Sequence, residues 1–149
     1  MTVEDAATMI AHEESSEIVI AAIRGGISDI NEIDSVSGWS LLDYAVEHMR
    51  IDIIEWLIAN GADVNLRGSD GGTALHHAVD IDIDSANQSN RLATFAVTRC
   101  LLFHKADRRI RTHKGRTPRD WAASYGEEAL ERFDAVCVEA DHLNNADSK

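Results

Sequence analysis

The chain lacks most of what marks specialised small folds. Among 149 residues there are two cysteines, one proline and eight aromatic side chains. Cys100 and Cys137 lie far apart in helical-looking sequence, and disulfide-built domains carry more. Two reduced thiols are therefore expected. No apolar run reaches the roughly 20 residues of a membrane span. The start, Met-Thr-Val-Glu-Asp, puts no basic region ahead of an apolar stretch, so no secretory signal is expected. A cytoplasmic location follows as the default. Basic residues are scarce, fourteen against twenty-six acids, for a net charge of -12. That balance argues against phosphate backbones or anionic lipid as the main partner and suits a basic one. What remains is an ordinary hydrophobic fraction of 44 %, enough for one domain with a core.

Helical periodicity runs through most of the chain. Val3, Ala6, Ala7 and Ile10 make one apolar stripe, with Glu4 and Asp5 at the end a helix dipole favours for acids. Residues 1–13 thus read as either a cap on the core or a mobile leader. Ile18, Val19, Ala21, Ala22 and Ile23 predict a helix that stops at Gly25-Gly26. A short helix over 28–33 is expected next, then a turn cluster from Asp34 to Gly38. Ser40-Leu-Leu-Asp-Tyr-Ala45 starts a helix capped by Ser40. A second begins near Ile51, packs Ile53, Ile54, Leu57 and Ile58, and ends at Asn60-Gly61. After a polar loop, Thr73-Ala-Leu-His-His-Ala78 starts the next helix in the same phase.

Ser40 to Thr73 is 33 residues, and Thr117-Pro-Arg-Asp-Trp-Ala122 repeats the phrase 44 residues later. Its proline, Pro118, stands in the first helical turn, where it costs least. The extra 11 residues can be placed. Leu101-Leu-Phe-His-Lys-Ala-Asp107 aligns with Leu57-Ile-Ala-Asn-Gly-Ala-Asp63, so an insertion falls between the helices of that repeat, over about 80–91, and is expected to protrude. A last helix spans Glu127 to about Val138. The polar segment 141–149 reads as a disordered tail.

A period of 33 residues with Thr-x-Leu-His-x-Ala and Gly-Ala-Asp-Val-Asn resembles the ankyrin repeat, best over Ile51 to Val79 and in all over about residues 16–138. The resemblance implies an all-α solenoid of stacked helix-turn-helix units in a single domain over 1–140. About four repeats are implied: two well formed, an N-terminal one shortened by about nine residues, and a C-terminal one. Stacking buries a continuous core that no unit can bury alone. Ala45, Ala78 and Ala122 must then be small for close helix approach, Leu42 and Leu75 fill the core, and Thr73 and His76 brace the helix start. Asp43 and Asp120 stand where His76 does. Met49 and Lys105 replace expected glycines, and Arg119 replaces the core leucine at an end that faces water.

By the same resemblance, loop tips and the exposed side of each first helix form a concave binding face. Carried over by register, its positions are Val36, Ser37, Trp39, Glu47 and His48; Ser69, Asp70, Asp80 and Ile81; and His113, Lys114, Arg116, Ser124 and Tyr125. Asp82 and Asp84 of the insertion join them as a protruding acidic element. Trp39 is the most informative, because tryptophan dominates interface energetics; alternatively it folds back onto the N-terminal repeat. Trp56, in the column of Cys100, and Trp121 are expected to pack.

Other chemistries fit less well. His76 and His77 with Asp80, Asp82 and Asp84 could be imagined around a metal ion, but adjacent histidines diverge on a helix. Asp80-x-Asp82-x-Asp84 has Ser85 and Arg91 where a calcium loop needs glycine and an acid. Lys105 to Arg119 holds seven of the fourteen basic residues and one acid. That finger could touch nucleic acid, but it lacks interleaved aromatics, and internal pairing with neighbouring acids is the preferred reading. No nucleophile elbow, phosphate-cradling loop or paired Cys-x-x-Cys occurs. A non-enzymatic, cofactor-free module that binds a basic protein, and is a monomer when unbound, is the expectation. In its most concrete form it is similar to small bacterial ankyrin proteins that act as immunity proteins against a toxin. A regulatory adaptor is the alternative, and a metal protein centred on His76, His77 and Asp80 stands behind both.

Overall fold

The computed structural model describes residues 1–147, which form eight helices and no strand. They are α1 (Val3–Ala11), α2 (Ser16–Gly26), α3 (Leu41–Glu47), α4 (Ile51–Ala59), α5 (Ala74–Gln88), α6 (Ala96–Phe103), α7 (Pro118–Ser124) and α8 (Glu127–Asp147). Consecutive helices pair, and the pairs stack in two rows. In one row α1, α3, α5 and α7 pack in sequence; in the other, α2, α4, α6 and α8. One core runs through the stack, from Ile10 and Val19 through Leu41, Ile53, Leu57, Leu75 and Leu101 to Phe133. Ala45, Ala78 and Ala122 are fully buried where the first-row helices approach one another.

Each first-row helix begins with the same reciprocal cap. Thr2 with Asp5, Ser40 with Asp43 and Thr117 with Asp120 exchange hydrogen bonds between side chain and backbone. In the third repeat the Thr73 N–H donates to His76 Nδ1 at 3.1 Å. Two of the four orphan amides of a helix start are thereby satisfied.

The first repeat corrects the sequence reading. Of the two readings of residues 1–13, cap and mobile leader, the structure favours the first: Val3, Ala6, Ala7 and Ile10 are buried over the end of the core, and α1 is moreover the first helix of a full unit. The repeat is not shortened, because Thr2 to Ser40 is 38 residues. No helix forms over 28–33. Asp29 instead accepts the Asn31 N–H, and the Asn31 side chain accepts the Asp63 N–H at 2.8 Å and donates to the Gly61 carbonyl at 3.1 Å. The segment is thus a staple between repeats. Asn65 repeats it one unit on, accepting the Asp107 N–H at 2.7 Å.

The first half of the insertion does not protrude, whereas residues 87–91 are exposed. Residues 80–88 prolong α5, bury Ile83 and carry the Asp82 carboxylate to the start of α6. There it accepts the Val97 N–H at 3.3 Å and the Thr98 N–H at 2.8 Å. Helix α6 needs this borrowed cap because Phe95, at its own N-cap, sits in the left-handed region and offers no side-chain acceptor. Asp82 is only 4 % exposed, so it is a structural cap and not a partner-binding acid. The segment from Asp141 is not disordered as far as Asp147 either. Asp141 pairs with Arg108 at 2.7 Å, and the Asn144 amide donates to the Leu102 carbonyl at 3.1 Å, seating α8 along α6. The rest of that expected tail lies outside the described residues.

Burial raises the Asp82 pKa against the lowering by its amide donors. A carboxyl whose pKa is raised in the folded state costs stability as pH climbs from its unfolded value through the raised one. Asparagine carries no charge and keeps one acceptor, enough for the shorter Thr98 bond but not for both amides. Asp82→Asn should therefore lose less stability at pH 7 than Asp82→Ala and should lack the gain that wild type shows as pH falls. Asp82→Ala, which leaves the amides unpaired, should lose about 1–2 kcal/mol. Chemical denaturation of both variants measures the difference.

Candidate protein-binding groove

Three loops rise beside the first-row helices as short fingers. In the first, the Asp34 N–H donates to the Trp39 carbonyl at 2.8 Å; in the second, Gly68 N–H to the Gly72 carbonyl at 2.8 Å; in the third, Thr112 N–H to the Arg116 carbonyl at 2.9 Å. The fingers touch. His113 N–H donates to the Asp70 carbonyl at 2.9 Å, and Arg67 reaches the Arg111 carbonyl at 2.7 Å. Gly71, at φ +79°, lies so close to the third finger that an added Cβ would stand 2.5 Å from His113 Cδ2 and 2.9 Å from its backbone nitrogen.

His76 joins a helix to a finger. Its Nδ1 accepts from Thr73 N–H, so Nε2 carries the proton and donates to the Arg116 carbonyl at 3.0 Å. Burial lowers its pKa, which keeps the ring neutral. With both nitrogens engaged, His76 is a brace and not a metal ligand. His77 turns away from it and meets Glu47 at 2.6 Å.

Beneath the fingers lies a cavity of about 220 Å³ lined by Trp39, Asp43, Gly68, Asp70, Gly72, Thr73, His76, His77, Asp80 and Trp121. Trp39 forms one wall, with ring centroids 5.3 Å from Tyr44 and 4.6 Å from His77. It does not fold back onto the first repeat. Trp121 forms the other wall, edge-on to His76 at 5.5 Å, with the Arg116 guanidinium 4.5 Å above its ring. Asp43, Asp70 and Asp80 supply negative charge between them. Burial outweighs two hydrogen bonds from Ser40 and raises the Asp43 pKa. At one edge the Tyr125 hydroxyl lies 2.6 Å from an Asp80 oxygen and 3.0 Å from one of Asp84. Burial, then those two acids, raises its pKa.

Of the positions expected from register, Trp39, Asp70 and Asp80 line the cavity. Glu47 positions His77, Arg116 covers Trp121, and Tyr125 ties down Asp80 and Asp84. Val36, His48, Ser69, His113 and Lys114 are exposed around it; Ser37 is pinned by Asp34, Ser124 donates to the Trp121 carbonyl, and Ile81 packs against the core. Sequence reasoning missed Asp43 and His77 as lining residues, though their offsets of three and four from Ser40 and Thr73 put them on the finger side of their helices. The basic finger is internally paired: Arg108 with Asp141, Arg109 with Asp107, Arg119 with Asp134.

Comparisons with known proteins agree with this architecture. Residues 42–81 match the family described as ankyrin repeats (many copies). Ankyrin repeat protein OPG025 of Monkeypox virus is 38 % identical over 68 residues, which is 46 % of this chain and 11 % of that protein. Ankyrin repeat and SAM domain-containing protein 6 of Rattus norvegicus is 32 % identical over 77 residues, 45 % of this chain and 9 % of that one. The crystal structure of the ankyrin repeat domain of Bcl-3 superimposes with a TM-score of 0.64 at 25 % identity, covering 87 % of this chain and 50 % of that one. Residues 42–81 belong to that family, and the stack as a whole has the ankyrin-repeat fold. The chain spans about a tenth of the length of those two sequence relatives.

Two predictions follow from the fingers. Gly71→Ala meets both a left-handed backbone and His113, whereas Gly115→Ala, at φ +75° with nothing near its Cβ, meets only the first. Thermal unfolding should place Gly71→Ala about 1–3 kcal/mol below wild type and below Gly115→Ala. Asp34 tests the first finger. The Val36 N–H, the Ser37 hydroxyl and the Tyr44 phenol hold its pKa down to about 2, from an ordinary 3.8. A depressed carboxyl contributes stability above its unfolded value and loses it as pH falls through the folded one. Between pH 4 and pH 2, wild type should therefore lose stability more steeply than Asp34→Asn in a melting series.

Proposed function

We propose that the chain is a non-enzymatic binding module that takes a basic segment of a protein partner into the groove between Trp39 and Trp121. Ankyrin repeats bind protein partners, and one observation carries the finer reading: two indoles and the carboxylates of Asp43, Asp70 and Asp80 converge on one cavity. A lysine or arginine side chain gains from an aromatic face by about 0.5–2 kcal/mol, more as water is excluded, and from a carboxylate partner by charge-assisted hydrogen bonding. The net charge of -12 adds long-range steering of a basic surface. The exposed tips at Val36, Ser69 and Lys114 would contact the partner around the groove.

In its most specific form the module is an immunity protein that occludes the substrate groove of a basic toxin enzyme. Strong acidity, a net charge of -12, supports that reading. A regulatory adaptor would use the same surface, and the identity of the captured protein separates the two.

Affinity capture from the source cell, followed by titration of the purified partner, tests the proposal. Wild type should retain a basic protein whose affinity falls with added salt. Trp39→Ala should weaken it by about 2 kcal/mol, roughly 30-fold in Kd, without lowering the melting temperature by more than a few degrees. Equal affinity for wild type and Trp39→Ala would remove the groove from the recognition surface.

A further inference from the structure

On the opposite row of helices, away from the groove, Glu55, Cys100 and His104 place one carboxylate oxygen, one sulfur and one imidazole nitrogen within 4.8 Å of one another. Cys100 and His104 are four residues apart in α6 and at its C-cap, hence on one face. Glu55 comes from α4 of the preceding repeat. Among the described residues none of these three ligand atoms makes a hydrogen bond or ion pair, unlike most polar groups around them. Cys100 and His104 are half-buried and Glu55 is exposed, so the carboxylate can swing while the other two are set by α6.

We propose that Glu55, Cys100 and His104 form a site for a zinc-like divalent ion that clamps α4 to α6 across two repeats. The donor set selects the ion. Thiolate, imidazole and a single carboxylate suit zinc or cobalt, whereas calcium and magnesium require shells of oxygen. Metal–ligand bonds of about 2.0–2.3 Å at tetrahedral angles put donors about 3.5 Å apart, so ligand atoms that already lie within 4.8 Å of one another reach that spacing by modest side-chain rotation. Three protein ligands leave the fourth position to water. On binding, the Cys100 S–H bond breaks, its proton leaves to solvent, and a metal–sulfur bond forms; no redox change is involved.

Cobalt(II) is the probe. The metal-free full chain, reduced with a non-thiol phosphine, is titrated with Co²⁺ and then with Zn²⁺. The expected result is a near-ultraviolet thiolate-to-cobalt charge-transfer band with intense tetrahedral visible bands, saturating at one equivalent per chain and abolished by excess zinc. Cys100→Ser should abolish the band and Cys137→Ser should keep it. Glu55→Gln, at an exposed position that leaves folding intact, should weaken cobalt binding about tenfold or more. Zinc should raise the melting temperature of wild type and not of Cys100→Ser. No charge-transfer band at saturating cobalt, or a band that survives Cys100→Ser or disappears in Cys137→Ser, would overturn the site, as would wild-type cobalt affinity in Glu55→Gln. None of these outcomes bears on partner binding at the groove.

Discussion

The reciprocal cap at the start of each first-row helix is the constraint on which the rest of the structure depends. Helices as short as the seven residues of α3 and α7 are unstable in isolation, because nucleation costs more than so few hydrogen bonds return. Capping at one end and packing along one face together make them viable. The cap also sets direction. The backbone enters the helix extended at Thr2, Ser40, Thr73 and Thr117, so the preceding residues can turn back as a finger. Where histidine replaces aspartate, at His76, the second ring nitrogen reaches the Arg116 carbonyl of the next finger. The same side chain thus closes a helix and fixes the distance between fingers, which determines the width of the groove.

A second interaction works between repeats. Asn31 and Asn65 each accept the N–H of the aspartate that begins the next loop, Asp63 and Asp107. At the following position in that series stands Arg109, paired with Asp107 of its own loop. The staple is absent where no further described repeat follows. Long-range bracing of this kind is backbone-directed, so it transmits spacing without demanding particular side chains on the recognition surface. That leaves finger tips such as Val36 and Lys114 free to vary with the partner.

Much of this was legible in the sequence, and the exceptions share a cause. The phrase Thr73-Ala-Leu-His and its echoes at Ser40 and Thr117 located three repeats because each cap is local, confined to four residues. Thr2-Val-Glu-Asp5 is the same phrase, but its third position is Glu4 where the inner repeats have Leu42 and Leu75. Arg119 fills that position at the other end. Both end repeats have a water-facing side, so the apolar residue that advertises an inner repeat is missing, and the first unit looks short from sequence. The remaining misreadings depend on distant partners. Asp82 looks like one of three solvated acids until the α6 amides are placed beside it. The polar segment after Asp141 looks unstructured until Arg108 and the Leu102 carbonyl are found along its path. Local chemistry predicted elements well; contacts between chain segments decided which polar residues were structural.

The two indoles of the groove are not equivalent, and the difference bears on what can bind. Arg116 already lies over Trp121, so a cation approaching that face must displace it, at the cost of an existing cation–π contact and against a like charge. Among the described residues Trp39 carries no such occupant. Its ring is held by Tyr44 and His77, and His77 is held in turn by Glu47. An indole fixed in this way loses little freedom on binding, which is where preorganised interfaces gain affinity. Asp43 opens α3 beside Ser40, which holds its carboxylate, while Asp80 of α5 is tied to Tyr125 at the end of α7. A basic side chain entering there meets an oriented ring and oriented carboxylates together. The groove is therefore polarised: among the described residues no guanidinium covers Trp39, whereas Arg116 already covers Trp121.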